Sequence, residues 1–313
     1  MVVTETAGAA VPPVYADRRG VMREIAVFLG ILAVVCGVFI ATALHLRRTA
    51  NVVAALYMFT PAIAAALTRT FVSRGRFADA GLRGAPPLRF LAFWGLGVGI
   101  AVLYYVLFSL SGAVRWDFSG GGFLSQLETF APGAGAQLLE QLPKGMTLTG
   151  MLALYTVGGF TLFNIPGILL GFGEEFGWRG LLFVRLQLFG PWMSFGLGGL
   201  LWFAWHLPLV LLVPAGATPM SYAPLRLAAL AVGSVCTAAV FAWAYAATRS
   251  IFIPSLLHIT INNASRALSY WVELRDQVTA DCMLAVAMLL VVGAVYAAGG
   301  FRRFARVDGM GLL

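Results

Sequence analysis

Three short motifs have residue types and spacings that could do chemistry: Glu174-Glu175 with Arg179, Trp202 with His206, and His258 with Asn262. Residues four apart share one face of an α-helix, so Glu175 and Arg179 can pair. Glu174 is rotated from its neighbour by about 100° and is free to point elsewhere. A glutamate shielded from water takes up a proton more readily, which suits one that must activate a water molecule. His206 could orient or share that water. His258 and the Asn262 amide are donors of the kind that stabilise an oxyanion. Together the set suits attack of water on a peptide carbonyl. Glu174, His206 and His258 could alternatively bind a metal, with zinc the candidate because it takes His and carboxylate ligands. The sequence contains no HExxH, so the familiar spacing gives that alternative no support.

Each residue also has a plainer reading. Glu175 and Arg179 could be an ion pair that only holds helices together. Asn262 could be interhelical glue, and Asn263, which faces away from His258, more so. A single helix histidine is more often a packing residue. His45, at the end of the first apolar run and close to Arg47, reads as interfacial. Against these readings stands the apolar setting of the three motifs. One charge at mid-membrane costs about 2.5–3.5 kcal/mol on the insertion scale. Two adjacent carboxylates, with two histidines on separate apolar runs, are expected to line a polar cavity and act there.

The elements that must position these residues follow from composition. Of 313 residues, 60% are apolar and 11% charged, whereas a soluble domain carries about 25% charged residues. Lipid is the solvent that suits such a chain. The net charge is +8, but the basic residues are spread between apolar runs and not clustered in the stripe that marks nucleic-acid binders. No nucleic-acid partner is expected. Cys36, Cys236 and Cys282 lie singly in apolar runs, which argues against a disulfide framework or a cysteine-based zinc site.

About 20 apolar residues span a bilayer. The predicted spans are 25–44, 51–71, 88–110, 149–171, 192–213, 226–247, 251–270 and 282–299. They must be helical, because lipid offers backbone groups no other partner. The expected fold is therefore all-α, a polytopic transmembrane bundle of about eight spanning helices, with no internal repeat. Residues 111–147 read as a Gly- and Pro-rich hydrophilic connection, and 172–190 as a shorter helical segment carrying the acidic pair. The apolar run after Arg18, Arg19 and Arg23 exceeds the roughly 7–15 residues of a signal-peptide core and reads as a retained first helix. Lys and Arg favour the N-terminal side of the eight spans two to one. That bias places both termini in the cytoplasm, here of a bacterial inner membrane.

In this order on successive helices, Glu174-Glu175-x-x-x-Arg179, an aromatic-x-x-x-His motif ending at His206, and His258-x-x-x-Asn262 resemble the CPBP family of intramembrane proteases. That family includes the type II CAAX prenyl endopeptidases and bacterial bacteriocin-processing and immunity relatives. The resemblance covers roughly residues 150–265. It implies that Glu174 is the catalytic glutamate that activates water, that Glu175 and Arg179 complete the first motif, and that His206, His258 and Asn262 belong to the second and third. The second motif commonly begins with Phe, where this chain has Trp202. The family's chemistry is described both as metal-dependent and as a metal-independent glutamate mechanism.

On this reading the chain divides into a disordered tail (1–24), N-terminal transmembrane helices with the Gly/Pro-rich loop (25–147), a catalytic core (148–270), and a last helix with a basic tail (271–313). The expected activity is intramembrane hydrolysis of a membrane-associated peptide or protein near the cytoplasmic side, with membrane lipid as the other partner. Two alternatives stand beside it. One is a non-enzymatic scaffold or immunity-type factor, which would not need Glu174, His206, His258 and Asn262 together. The other is a transporter using Glu174 as a proton relay, kept open by the Gly-rich approach to Glu174.

Overall fold

Helices carry nearly all of the described chain, as backbone groups in an apolar solvent require. The structure is a computed structural model, and it describes residues 18–45, 56–73, 77–212 and 224–302. In chain order, α1 is Arg18–His45, α2 Thr60–Phe71 and α3 Pro87–Leu110. A short strand, β1 (Val114–Trp116), precedes α4 (Gly121–Phe130), α5 (Ala134–Glu140) and α6 (Leu148–Phe160). Helix α7 (Asn164–Gly177) continues through a π-helical turn, Trp178–Phe183, and tighter turns to Phe189. A second π-helical stretch, Met193–Leu197, leads into α8 (Gly198–Leu212). There follow α9 (Pro224–Thr248), α10 (Phe252–Ser269), β2 (Val272–Leu274) and α11 (Gln277–Ala297).

Four of these helices, α1, α3, α9 and α11, are long and apolar enough to cross a membrane, and the α6–α7 pair makes a fifth if counted as one bent span. Large apolar side chains such as Val34, Leu91, Leu154 and Leu169 point outward and are exposed. This suits a multi-pass protein whose outer surface meets lipid. The expected count of about eight spans is thus matched at four or five among the described residues.

Three sequence expectations change. The first helix begins at Arg18, inside the stretch expected to be a disordered tail. The predicted span 149–171 is broken: α6 and α7 meet at a 56° bend. The cause is Pro166, whose ring would clash with the carbonyl of residue 162 if one helix ran through. The carbonyls released at the end of α6 find other donors. Asn164 Nδ2 donates to Phe160 O at 3.2 Å and to Gly159 O at 3.3 Å, and Trp94 Nε1 donates to Phe160 O at 2.8 Å. Asn263 of α10 then donates to Asn164 Oδ1 at 2.9 Å and clasps the bend. Finally, 111–147 is structured. It holds β1, α4 and α5, and β1 pairs antiparallel with β2, Arg115 opposite Glu273.

Contacts along the helices fix their directions. Helices α1 and α2 are antiparallel, with Cys36 beside Thr60 and Glu24 beside Ser73. Helices α3 and α10 are parallel, with Gly97 against Thr260 and Tyr105 Oη donating to Ser265 O. Helices α9 and α11 are also parallel, with Arg226 beside Asp281 and Trp243 beside Gly300. The start of α1 and the end of α11 therefore lie on one side of the bundle. The β1–β2 ribbon lies on the other.

Candidate active site

Glycine spacing puts the acidic pair inside the bundle. Gly167 and Gly171 face α10, where a Cβ on either would collide with Ile259 or the Ser255 backbone. Gly173 and Gly177 face the N-terminal part of α2, against the Met58 carbonyl and Pro61. Small residues at four-residue intervals let helix backbones approach closely in a membrane. Helix α7 is thus gripped on two faces and stays regular through Gly177. The Gly-rich approach to Glu174 serves close packing of α7 against α10 and α2. Glu174 and Glu175 end 2% and 0% exposed.

Glu175 is the centre of a buried charge group. Arg179 Nη1 donates to its Oε1 at 3.1 Å, and His258 Nδ1 donates to the same oxygen at 2.9 Å. The Arg179 guanidinium lies between the rings of Trp202 and Phe241, 5.2 and 5.0 Å from their centroids. Its Nη2 is buried without a hydrogen-bond partner, so the ring faces supply part of the stabilisation its charge needs.

Glu174 has a partner that spacing did not reveal. Trp202 Nε1 donates to its Oε2 at 3.0 Å. On its other side His258 Nε2 stands 3.9 Å from Oε1. Trp202 also fixes His206, whose Nδ1 is 2.9 Å from the Trp202 carbonyl. A carbonyl oxygen only accepts, so Nδ1 carries the proton and Nε2 is left to face the site. The same logic applies to His258: Nδ1–H goes to the Glu175 carboxylate, and Nε2 turns toward Glu174.

His206, His258 and Asn262 line one cavity of about 830 Å³, with Trp202 and Phe241. That volume lies within the range of ligand pockets. Asn262 is exposed to the cavity, one helical turn from His258. Asn263 is turned away from it and belongs to the helix clasp. His45 lies outside the group. Among the described residues no three His, Cys, Asp or Glu come together as a metal ion needs. The candidate metal set Glu174, His206 and His258 gains no support from this geometry.

Residues 156–264 match the family model of type II CAAX prenyl endopeptidases, Rce1-like. The match covers roughly a third of the chain and contains all six motif residues. It bears out the resemblance read from the three motifs. No curated protein matches the chain. Within the matched segment lie α7, the π-helical turn that follows it, α8, α9 and most of α10, which supply every side chain of the charge group. Sequence reasoning missed Trp202 as a donor to Glu174, and it missed Asn164. The signal for Asn164 was Pro166, two residues on; for Trp202 it was the indole N–H, which a phenylalanine lacks.

Proposed function

We propose that the chain is an intramembrane endopeptidase in which Glu174 activates the attacking water. The observation that carries this is the convergence of Glu174 with His258 Nε2 and the Trp202 indole beside a cavity lined by His206, His258 and Asn262. Glu174 takes a proton from water as the oxygen attacks the peptide carbonyl. The Asn262 amide donates a hydrogen bond to the carbonyl oxygen as it gains charge, and His258 joins it as an imidazolium, with Nδ1–H on Glu175 and Nε2–H turned to the site. His206, through its free Nε2, orients the water. As the tetrahedral intermediate collapses, the C–N bond breaks and the proton held by Glu174 passes to the leaving amine. Glu175 and Arg179 touch no substrate; they hold His258 with its Nε2 turned to the site.

Eight crossings fit this reading. The eight would be α1, α2, α3, the bent α6–α7 pair, α8, α9, α10 and α11, of which α1, α3, α9, α11 and the bent pair have the length and hydropathy of a span, with the start of α1 and the end of α11 on the cytoplasmic side.

The test is cleavage of a mixed membrane-peptide library, read by mass spectrometry, by purified wild type and Glu174→Gln, with and without a chelator. Cleavage present in wild type and absent in the variant supports the reading. Equal cleavage by both removes Glu174 from its role. Loss of wild-type cleavage on chelation would require a metal in place of the mechanism above.

A further inference from the structure

His206 stands on a turn of α8 that its own sequence weakens. Pro208 lies inside the helix. It has no N–H to give to the Ala204 carbonyl, and its ring crowds that carbonyl. Helices bend at such residues, so the backbone around His206 needs support from outside α8. The bond from Nδ1 to the Trp202 carbonyl lies within the same helix and moves with it.

That support comes from the chain as it enters α2. Tyr57 Oη donates to the Trp205 carbonyl at 3.0 Å, and its ring stacks on the Trp205 indole with centroids 4.7 Å apart. Trp205 Nε1 donates to Thr60 Oγ1 at 3.0 Å. The Thr60 hydroxyl in turn donates to the Tyr57 carbonyl at 2.8 Å. Trp205, the neighbour of His206, is thus held twice, by its carbonyl and by its indole. Tyr57, Thr60 and Trp205 are 2%, 0% and 6% exposed, so a lost partner is not replaced by water and leaves a buried polar group unsatisfied.

The brace reaches both the imidazole and the acidic pair. The His206 ring lies edge-on to two indoles, 4.6 Å from Trp205 and 4.7 Å from Trp202 between centroids. The same short segment packs on α7, since the Met58 carbonyl and Pro61 are what a Cβ at Gly173 or Gly177 would strike. Residues 57–61 therefore touch the helix that carries Glu174 and the helix that carries His206, and fix one against the other. They lie outside the matched residues 156–264.

We propose that Tyr57 and Thr60 are positioning residues for His206: they brace the Pro208 turn of α8 through the carbonyl and indole of Trp205, and so hold His206 Nε2 in place relative to Glu174. Neither residue touches the substrate. The proposal rests on the peptidase reading for what His206 does to the water, but not for the brace itself. With the brace loosened, the imidazole swings and the water it orients is spread over more positions. Small misplacements of a reacting group slow the chemical step, while the binding of a peptide elsewhere in the cavity is untouched.

Three variants of the full chain test the brace. Tyr57→Phe removes the hydroxyl and keeps the ring, Thr60→Val removes the acceptor of the Trp205 indole, and Thr60→Ser keeps it. Each is purified in detergent with isotope-labelled histidine, and the ring signals of the three histidines are recorded by NMR. The His206 signal is assigned by its loss in His206→Gln. The proposal expects that signal to move in Tyr57→Phe and in Thr60→Val, because the ring currents of two indoles act on it. The signals of His45 and of His258, which Glu175 holds, stay in place, and Thr60→Ser matches wild type. On a cleaved peptide, kcat in Tyr57→Phe falls about three- to ten-fold, as for loss of one hydrogen bond, with KM unchanged. A His206 signal that stays in place in either variant overturns the proposal. So does movement of all three signals together, the mark of general loosening, or an unchanged kcat. Because the spectra need no catalysis, loss of the peptidase reading in the Glu174→Gln comparison would leave them to decide the brace on their own.

Discussion

The indole N–H of Trp202 reaches Glu174 at 3.0 Å, and a phenylalanine there would keep the ring but not the bond. A hydrogen bond to a charged group contributes about 1.5–3 kcal/mol. Trp202→Phe should therefore lower kcat by about ten- to hundred-fold with KM little changed, since the ring still packs on His206 and Arg179. Steady-state kinetics on one peptide checks this; an unchanged kcat would show that Glu174 does not depend on the bond. Arg179→Ala leaves Glu175 buried without its cation, which costs about 3–5 kcal/mol and should lower the melting temperature in detergent. The double variant Glu175→Gln with Arg179→Met should recover much of that stability and none of the activity, because His258 loses its carboxylate. The Glu175–Arg179 pair and the shared face of His258 and Asn262 could be read from the sequence, because four-residue intervals on a helix fix a shared face. The Trp202–Glu174 bond could not, because it joins two helices whose relative rotation no interval records.

At the level of elements, Asn164 and Asn263 clasp the bend between α6 and α7, and Asp79 pairs with both Arg69 and Arg185. Asp79→Ala would remove the carboxylate that Arg69 and Arg185 share, two arginines that are 0% and 1% exposed, and leave Glu24 as the carboxylate paired with Arg185. That substitution should destabilise the protein by about 3–5 kcal/mol, more than loss of any single surface ion pair, and thermal unfolding in detergent measures it. Asn263→Ala should cost about 1 kcal/mol, the net worth of one hydrogen bond. Hydropathy found the positions of most helices because apolar composition is a property of each segment alone. It joined residues 149–171 into one span because hydropathy does not see Pro166, whose effect is steric. It gave no hint of the β1–β2 pair, whose strands are separated by about half of the chain.

For the whole molecule, the two sides of the bundle differ in how they should respond to acid. On the ribbon side, Asp117 is held below the usual carboxylate range by the Ser119 hydroxyl and then by the backbone N–H groups of Gly122 and Ser119. Glu128 is lowered by the N–H groups of Gly133 and Gly135, and Asp276 by Thr279. A depressed folded-state value means that the unfolded chain binds the proton first as pH falls. These groups stabilise the ribbon side in full above their ordinary values of 3.8 for Asp and 4.5 for Glu. The contribution is lost as pH drops through their lower folded values. Hydrogen exchange should show residues 114–135 loosening on acidification while α9 and α10 remain protected. The all-helical, membrane-embedded character of the molecule was legible from composition, since 60% apolar residues leave no other solvent.

The most direct measurement is turnover of one cleaved peptide by wild type and Glu174→Gln purified side by side, with the melting temperature taken on the same samples. If Glu174 is the group that activates water, turnover falls by about 10²–10⁴-fold while the melting temperature of this nearly isosteric variant stays close to that of the wild type. Turnover by Glu174→Gln at the wild-type rate would contradict the mechanism.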